Sequence, residues 1–224
     1  MSDKDYFKRA LTFPVFDKIA FSARRKIFDI FISSTSPKTE ESILDIGVFA
    51  GSEDPNQNFL EYLYKDPSRI TAVGIDDASF LERQYPGLKF IKIESGKALP
   101  FRDDQFDIAF SSAVIEHVGS RRQQEFFILE ALRVSKRLFL TTPNKFYPVE
   151  FHTRLPLVHW LPQKFFAAVL KKIGLTFYSN ESNLNLLSKK DLLALLPDRY
   201  RSKAELISFR LFGITSNLIL IIKK

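Results

Sequence analysis

Three histidines, His117, His152 and His159, are the side chains of this sequence that ordinarily exchange protons near neutral pH. His152 stands two residues after Glu150 in "PVEFHTRLPLVHW" (148–160), an aromatic and proline-rich stretch. A carboxylate that close can raise the basicity of the imidazole, so His152 is the preferred general base, with Glu150 as its charge partner. His117 follows Glu116 in "SSAVIEHV" (111–118) and is the second candidate base. A plainer role for Glu116 and His117 is to cap and pack the next turn or to touch a bound ligand. His159 and Trp160 are expected to pack the hinge into a following helix, although the indole could also stack on a substrate.

Acids and glycines at the ends of apolar runs form a second set. "ILDIGVFAG" (43–51) carries Asp45, Gly47, Val48, Phe49 and Gly51. Gly47 can turn the backbone close to a ligand and Gly51 can let the next segment begin tightly. The full G-x-G-x-x-G is absent and no lysine follows the glycines, which argues against a pyrophosphate site and a P-loop. Phe49 occupies a position where a small residue would be usual. About 30 residues later, the distance typical of a βαβ unit, "AVGIDD" (72–77) ends in Asp76 and Asp77. A carboxylate there can grip both hydroxyls of a ribose, so the pair of segments suits a nucleoside without a phosphate. There is no H-E-x-x-H, paired ligand spacing or cysteine, and no metal is expected. The absence of Gly-x-Ser-x-Gly argues against a hydrolase.

The elements that would position these residues alternate in type. Short apolar runs at 42–47, 69–76, 88–94, 106–112 and 137–143 predict strands, and 58–64, 78–85 and 121–135 predict helices between them. An opening helix is expected from Pro14 to Phe31, with Phe16, Ile19, Ala20, Ala23, Ile27 and Phe31 on one face, followed by a polar linker over 33–42. Such alternation demands right-handed crossovers and a parallel sheet covered on both faces. Helices over 161–174 and 188–197 follow, then two strands too close in sequence to be anything but an antiparallel hairpin. The expected fold class is α/β, a doubly wound, mostly parallel seven-stranded sheet that ends in an antiparallel hairpin. One domain is expected, with a lead-in (1–40), a ligand-binding core (41–145), an acceptor-side insertion (146–197) and the terminal hairpin (198–224).

With 224 residues, 45% of them hydrophobic and 14% aromatic, the chain can bury a sizeable core and is not a disordered sequence. The net charge of +7 comes from basic pairs scattered along the chain, without a zinc-finger or ribonucleoprotein motif, so a nucleic-acid partner is disfavoured. No apolar stretch is long enough for a transmembrane segment, and the first residues carry no secretory h-region. A cytoplasmic location is expected. The basic helix with Phe165, Phe166, Lys171 and Lys172 reads as half-buried rather than membrane-bound.

The succession "ILDIG", "AVGIDD", "ALPFRDDQFDIAFSSAVIEHV" and "TTPN" resembles the class I, seven-stranded S-adenosylmethionine-dependent methyltransferases, in particular the type 11 subgroup, over residues 41–145. The resemblance implies S-adenosyl-L-methionine as cofactor. It implies that Asp45 orients the first loop, that Gly47 and Val48 meet the methionine part, and that Asp76, with Asp77 as the alternative, holds the ribose. Ser95, or Glu94 beside it, would serve the adenine, and Ser112, Ala113 and Val114 would line the ring. Phe49 in "GVFAG" and Ser95 depart from the family pattern, and Phe49 could form a wall against the cofactor. The implied function is methyl transfer to a small-molecule, glycan or lipid-linked acceptor. The alternatives are a non-catalytic binding protein that kept the fold and an RNA methyltransferase.

Overall fold

The computed structural model describes residues 14–51, 54 and 57–224. Its frame is a seven-stranded sheet, built from β1 (Ile43–Ile46), β2 (Ile70–Gly74), β3 (Lys89–Lys92), β4 (Phe106–Ser112), β5 (Ser135–Pro143), β6 (Ala204–Leu211) and β7 (Ile214–Lys223). The spatial order is β3-β2-β1-β4-β5-β7-β6. The first five strands pair in parallel, whereas β7 runs antiparallel to both β5 and β6. The doubly wound fold and its terminal hairpin are thus as expected. Strand order reverses between β1 and β4, and in such sheets a ligand crevice opens there, outside the carboxyl ends of the strands.

Helices cover both faces because the central strands are apolar on both sides: all four residues of β1 are buried. On one face lies α1 (Pro14–Thr35), which presses Ala23, Ile27 and Phe31 inward at steps of four. The Phe31 ring meets Phe110 and Phe139 edge-on at 5.1 and 5.3 Å, and those two rings stack on each other at 5.5 Å. This helix runs through the first part of the expected linker. Residues 1–13, and the side chain of Phe16, lie outside those described. The short α2 (Phe59–Leu63) and α3 (Phe80–Gln84) add Leu60 and Leu81 to the same core.

On the opposite face, α4 (Arg121–Val134) buries Ile128, Ala131 and Leu132. In the C-terminal third, α5 (Gln163–Lys172) starts after Pro162, α6 (Lys189–Ala194) is N-capped by Ser188 and stops short of Pro197, and α7 (Asp198–Arg201) follows it. The expected helices over 161–174 and 188–197 are trimmed at the prolines. The hairpin turns on Phe212 (φ 52°) and Gly213 (φ 81°), two left-handed residues of the kind whose twist suits adjacent antiparallel strands. Among the described residues no helix is long and apolar enough to cross a membrane.

The "LPF" segment has a structural explanation. Arg133 on α4 donates to both carboxylate oxygens of Glu130 at 2.8 Å, to the carbonyl oxygens of Leu99 (2.9 Å) and Phe101 (2.8 Å), and to Asp103 (2.9 Å). Glu130 in turn accepts the Leu99 N–H at 2.8 Å. The fork therefore clamps an irregular loop to the helix, and a lysine has too few donors in too loose an arrangement to replace it. Arg133→Lys should lower stability by about 1–3 kcal/mol, the cost of leaving such carbonyls unpaired, read as a drop in the urea midpoint at unchanged slope.

Candidate active site

The crevice is built where β1 and β4 end. Gly47 adopts φ +100°, and its N–H donates to the Val73 carbonyl at 2.8 Å, turning the chain sharply off the strand. A Cβ at Gly47 would stand 2.4 Å from a Val114 methyl, so both conformation and packing require glycine here. Val48 donates to the same Val73 carbonyl at 3.2 Å. The loop beyond is held by Asn58, which accepts the Phe49 N–H at 2.8 Å and donates to the Phe49 carbonyl at 2.9 Å. The Phe49 ring folds back over Gly51, where an added Cβ would meet it at 2.4 Å. That contact gives Phe49 and Gly51 a mutual purpose in the loop and explains how "GVFAG" tolerates the aromatic residue.

Opposite the loop, Ala113 takes an uncommon left-handed conformation (φ 56°) directly after β4, its N–H bonded to Thr141 at 2.8 Å. It is exposed, with Ser112 and Val114 half-buried on either side. At the end of β2, Asp76 and Asp77 are both exposed, but Asp77 accepts the Ser79 N–H at 3.0 Å and so serves the start of α3. Glu94 pairs with Lys97 at the surface, and Ser95 is exposed beside it. These residues lie where the sequence placed them, along the carboxyl edge of β1, β2, β3 and β4.

Asp45 has a partner that the sequence did not suggest. It is buried in β1 against Glu61 of α2, and both carboxyls are almost wholly shielded from water. Burial pushes Asp45 well above the ordinary carboxylate range, and the neighbouring Glu61 pushes it further. Burial likewise raises Glu61, against a partial offset from its hydrogen bond to Asp45. Two buried neighbouring carboxyls oppose each other's ionisation, which favours a proton on the pair. The available signal was an acid inside an otherwise apolar five-residue helix, "FLEYL".

The candidate bases converge although they come from separate loops. His117 Nε2 lies 2.9 Å from His152 Nε2, with the rings at 88° to each other. His152 Nδ1 donates to Glu150 Oε1 at 2.7 Å, and His117 Nδ1 donates to the Asn183 carbonyl at 2.7 Å. The buried Glu116 is fixed by Thr142, whose hydroxyl donates to Oε2 at 2.9 Å. Burial, opposed by the His152 charge, raises Glu116 to about 7. Burial and the same charge pull His117 down to about 4. Burial works against Glu150 as an anion, but His152 and two backbone N–H groups outweigh it and hold the carboxyl at about 2. For His152, Glu150 and Glu116 overcome burial and raise its pKa. His159 instead bonds the Tyr147 carbonyl at 2.8 Å, apart from this cluster, as a packing residue would.

An open doubly wound sheet with a glycine turn, an exposed acid after its second strand and no phosphate cradle is a frame that suits a nucleoside cofactor. The profile of a family described as "Methyltransferase domain" matches residues 49–138. Solved structures of similar fold include an S-adenosylmethionine-dependent methyltransferase from Methanosarcina mazei (18% identity, 86% of this chain and 96% of that one, TM-score 0.54). Magnesium protoporphyrin IX methyltransferase from Synechocystis, with bound S-adenosylhomocysteine, is similar too (14% identity, 98% and 94%, TM-score 0.57). So is 1,6-didemethyltoxoflavin-N1-methyltransferase from Burkholderia thailandensis (13%, 91% and 79%, TM-score 0.54). No curated protein sequence matches the chain. Residues 49–138 thus carry a methyltransferase domain, and the fold around them is the one shared by S-adenosylmethionine-dependent methyltransferases. The residues present fit that cofactor: the turn at Gly47 permits close approach, Asp76 is exposed just after β2, and nothing among the described residues there demands a phosphate.

The Asp45–Glu61 pair makes stability depend on pH with a definite sign. Both acids ionise in the unfolded chain above the ordinary carboxylate range, whereas the fold retains a proton, so stability is full below that range and declines as pH rises through the elevated folded values. Glu61→Gln removes the conflict and leaves an amide that can donate to Asp45. It should be more stable than the parent at pH 8 by about 1 kcal/mol or more, one pKa step being worth ~1.4 kcal/mol, with the difference fading towards pH 4. Thermal unfolding followed across that range checks the trend.

Proposed function

We propose that the protein transfers a methyl group to an oxygen or nitrogen nucleophile of a small-molecule, glycan or lipid-linked acceptor that reaches the His117–His152–Glu150 cluster. The observation that carries this reading is the 2.9 Å approach of His117 to His152, with Glu150 behind it. S-adenosylmethionine supplies an electrophilic methyl on a sulfonium, which departs as a neutral thioether when the carbon bonds to the acceptor. The chain then has two tasks: to hold the acceptor in line and to remove its proton.

Asp76 holds the ribose hydroxyls, since Asp77 is engaged with Ser79. Gly47 and Val48 face the methionine part, Asp45 supports that loop from beneath, and Phe49 with Gly51 shapes its rim. Glu94 and Ser95 border the adenine, and Ser112, Ala113 and Val114 line its ring. His152 takes the acceptor proton on Nε2. Glu150 accepts the Nδ1–H and stabilises the resulting cation, while neutral His117 receives the new N–H as a hydrogen bond. Phe146, Phe151, Trp160, Leu161 and Phe165 are exposed in the segment that follows β5, which favours an acceptor with an apolar part. The magnesium protoporphyrin IX and 1,6-didemethyltoxoflavin methyltransferases, which resemble this chain in fold, are named for small-molecule acceptors.

Calorimetry with S-adenosylhomocysteine should show at least tenfold weaker binding for Asp76→Ala, with a much smaller loss for Asp77→Ala. Equal losses would undo the ribose assignment. Incubation with methyl-labelled S-adenosylmethionine and native extract should yield a product heavier by one CH₂ unit. With that acceptor in hand, His152→Ala should lower kcat by about 10²–10⁴, the usual value of a positioned general base, with little change in cofactor affinity.

A further inference from the structure

Beyond this reading, the geometry points to a divalent transition-metal site formed by Glu116, His117 and His152. One ligand atom from each residue lies within 4.8 Å of the other two. The tautomers are set from behind. His117 Nδ1 is committed to the Asn183 carbonyl and His152 Nδ1 to Glu150, so each ring turns a lone pair on Nε2 towards the other across 2.9 Å. Two lone pairs at that distance repel unless a cation lies against both. Two imidazoles bound to one metal at about 2.1 Å and roughly at right angles stand about 3 Å apart.

A proton shared between the rings would account for this separation but not for the third ligand. Glu116 is fully buried, and its Oε1 has no hydrogen-bond partner although it lies 4.0 Å from His152 Nε2. A buried carboxyl oxygen that no donor satisfies, within 4.8 Å of both imidazole nitrogens, is placed as a third ligand. Its other oxygen is held by Thr142, so the carboxylate is oriented rather than adrift. Thr142, Glu150 and the Asn183 carbonyl are the outer partners that fix metal ligands in place. Two imidazoles and one carboxylate suit Zn²⁺, Mn²⁺, Fe²⁺ or Co²⁺, and they leave coordination positions open.

The catalytic consequence rests on the reading of this cluster as the acceptor side of the site, whereas ion binding does not. With an ion in place, His152 Nε2 would be a ligand rather than the base, and an acceptor hydroxyl bound to the ion would be acidified enough to release its proton to water.

The test uses chelator-treated full-length protein titrated with Zn²⁺ or Co²⁺ alone. One ion per chain is expected, and Co²⁺ should give visible d–d absorption. Glu116→Gln, which keeps the side chain's shape, and His117→Ala should each weaken binding at least tenfold, while His159→Ala should bind as the parent does. Circular dichroism confirms that each variant is folded. Parent protein binding neither ion more tightly than Glu116→Gln, or full affinity retained in folded His117→Ala, would overturn the inference. A parallel titration with S-adenosylhomocysteine keeps failure of the cofactor reading separate from failure of the metal site.

Discussion

The close approach of Gly47 to Val114 is the constraint on which the site depends. The carboxyl ends of β1 and β4 are neighbours only because the sheet reverses its order there, and the loops leaving them must diverge from two adjacent strands. A left-handed glycine on one side and a left-handed alanine on the other accomplish this in one residue each. The Val114 methyls fill the space that a Gly47 side chain would need, so turn and packing are one feature. Ser111 ties the same two strands by donating to the Ile46 carbonyl at 2.9 Å. The width of the crevice is therefore set by backbone geometry and buried contacts, and only its lining is left to variable side chains.

Beneath that rigid edge the protein buries polar groups that do not serve the core alone. The Asp45–Glu61 pair sits under the first loop, where two apolar residues would pack with less electrostatic cost. The pair couples β1 electrostatically to α2, the two elements that bracket the Gly47–Gly51 loop. Asn58, one residue before α2, grips that loop from both sides at Phe49. The five-residue α2 thus acts less as a covering helix than as a support for the loop, which explains why so short an element carries a buried acid and follows a buried asparagine.

Much of this was legible from the sequence, for physical reasons. Strand order, parallel pairing and the closing hairpin follow from the alternation of apolar runs and from connections too short for a crossover. Asp76 could be singled out as a candidate because the end of a second strand is a fixed place in such sheets. The boundaries of α5 and α6 were less so, because prolines at 162 and 197 trim an apolar pattern that continues past them. Glu61 was missed because a single acid among Phe, Leu and Tyr reads as a solvated face. The role of Arg133 was hidden because three of its partners, the Leu99 and Phe101 carbonyls and Asp103, lie in a loop about 30 residues away.

The histidine cluster shows the limit most clearly. His117, His152 and Glu150 were each identifiable by type and neighbours, but their contact spans 35 residues and depends on how the segment after β5 folds back. That return is fixed by few bonds. The Asn185 N–H donates to the Glu116 carbonyl at 2.7 Å, and its side-chain amide donates to the Gly119 carbonyl at 2.8 Å. Gln124 on α4 donates to the carbonyls of both Ile115 and Asn185 at 2.9 Å, joining the post-β4 turn to the returning chain. The same returning chain supplies Asn183, whose carbonyl sets the tautomer of His117. The polar bonds that close the insertion over the sheet are therefore also the bonds that aim the imidazoles, so folding of this segment and assembly of its chemistry are a single event.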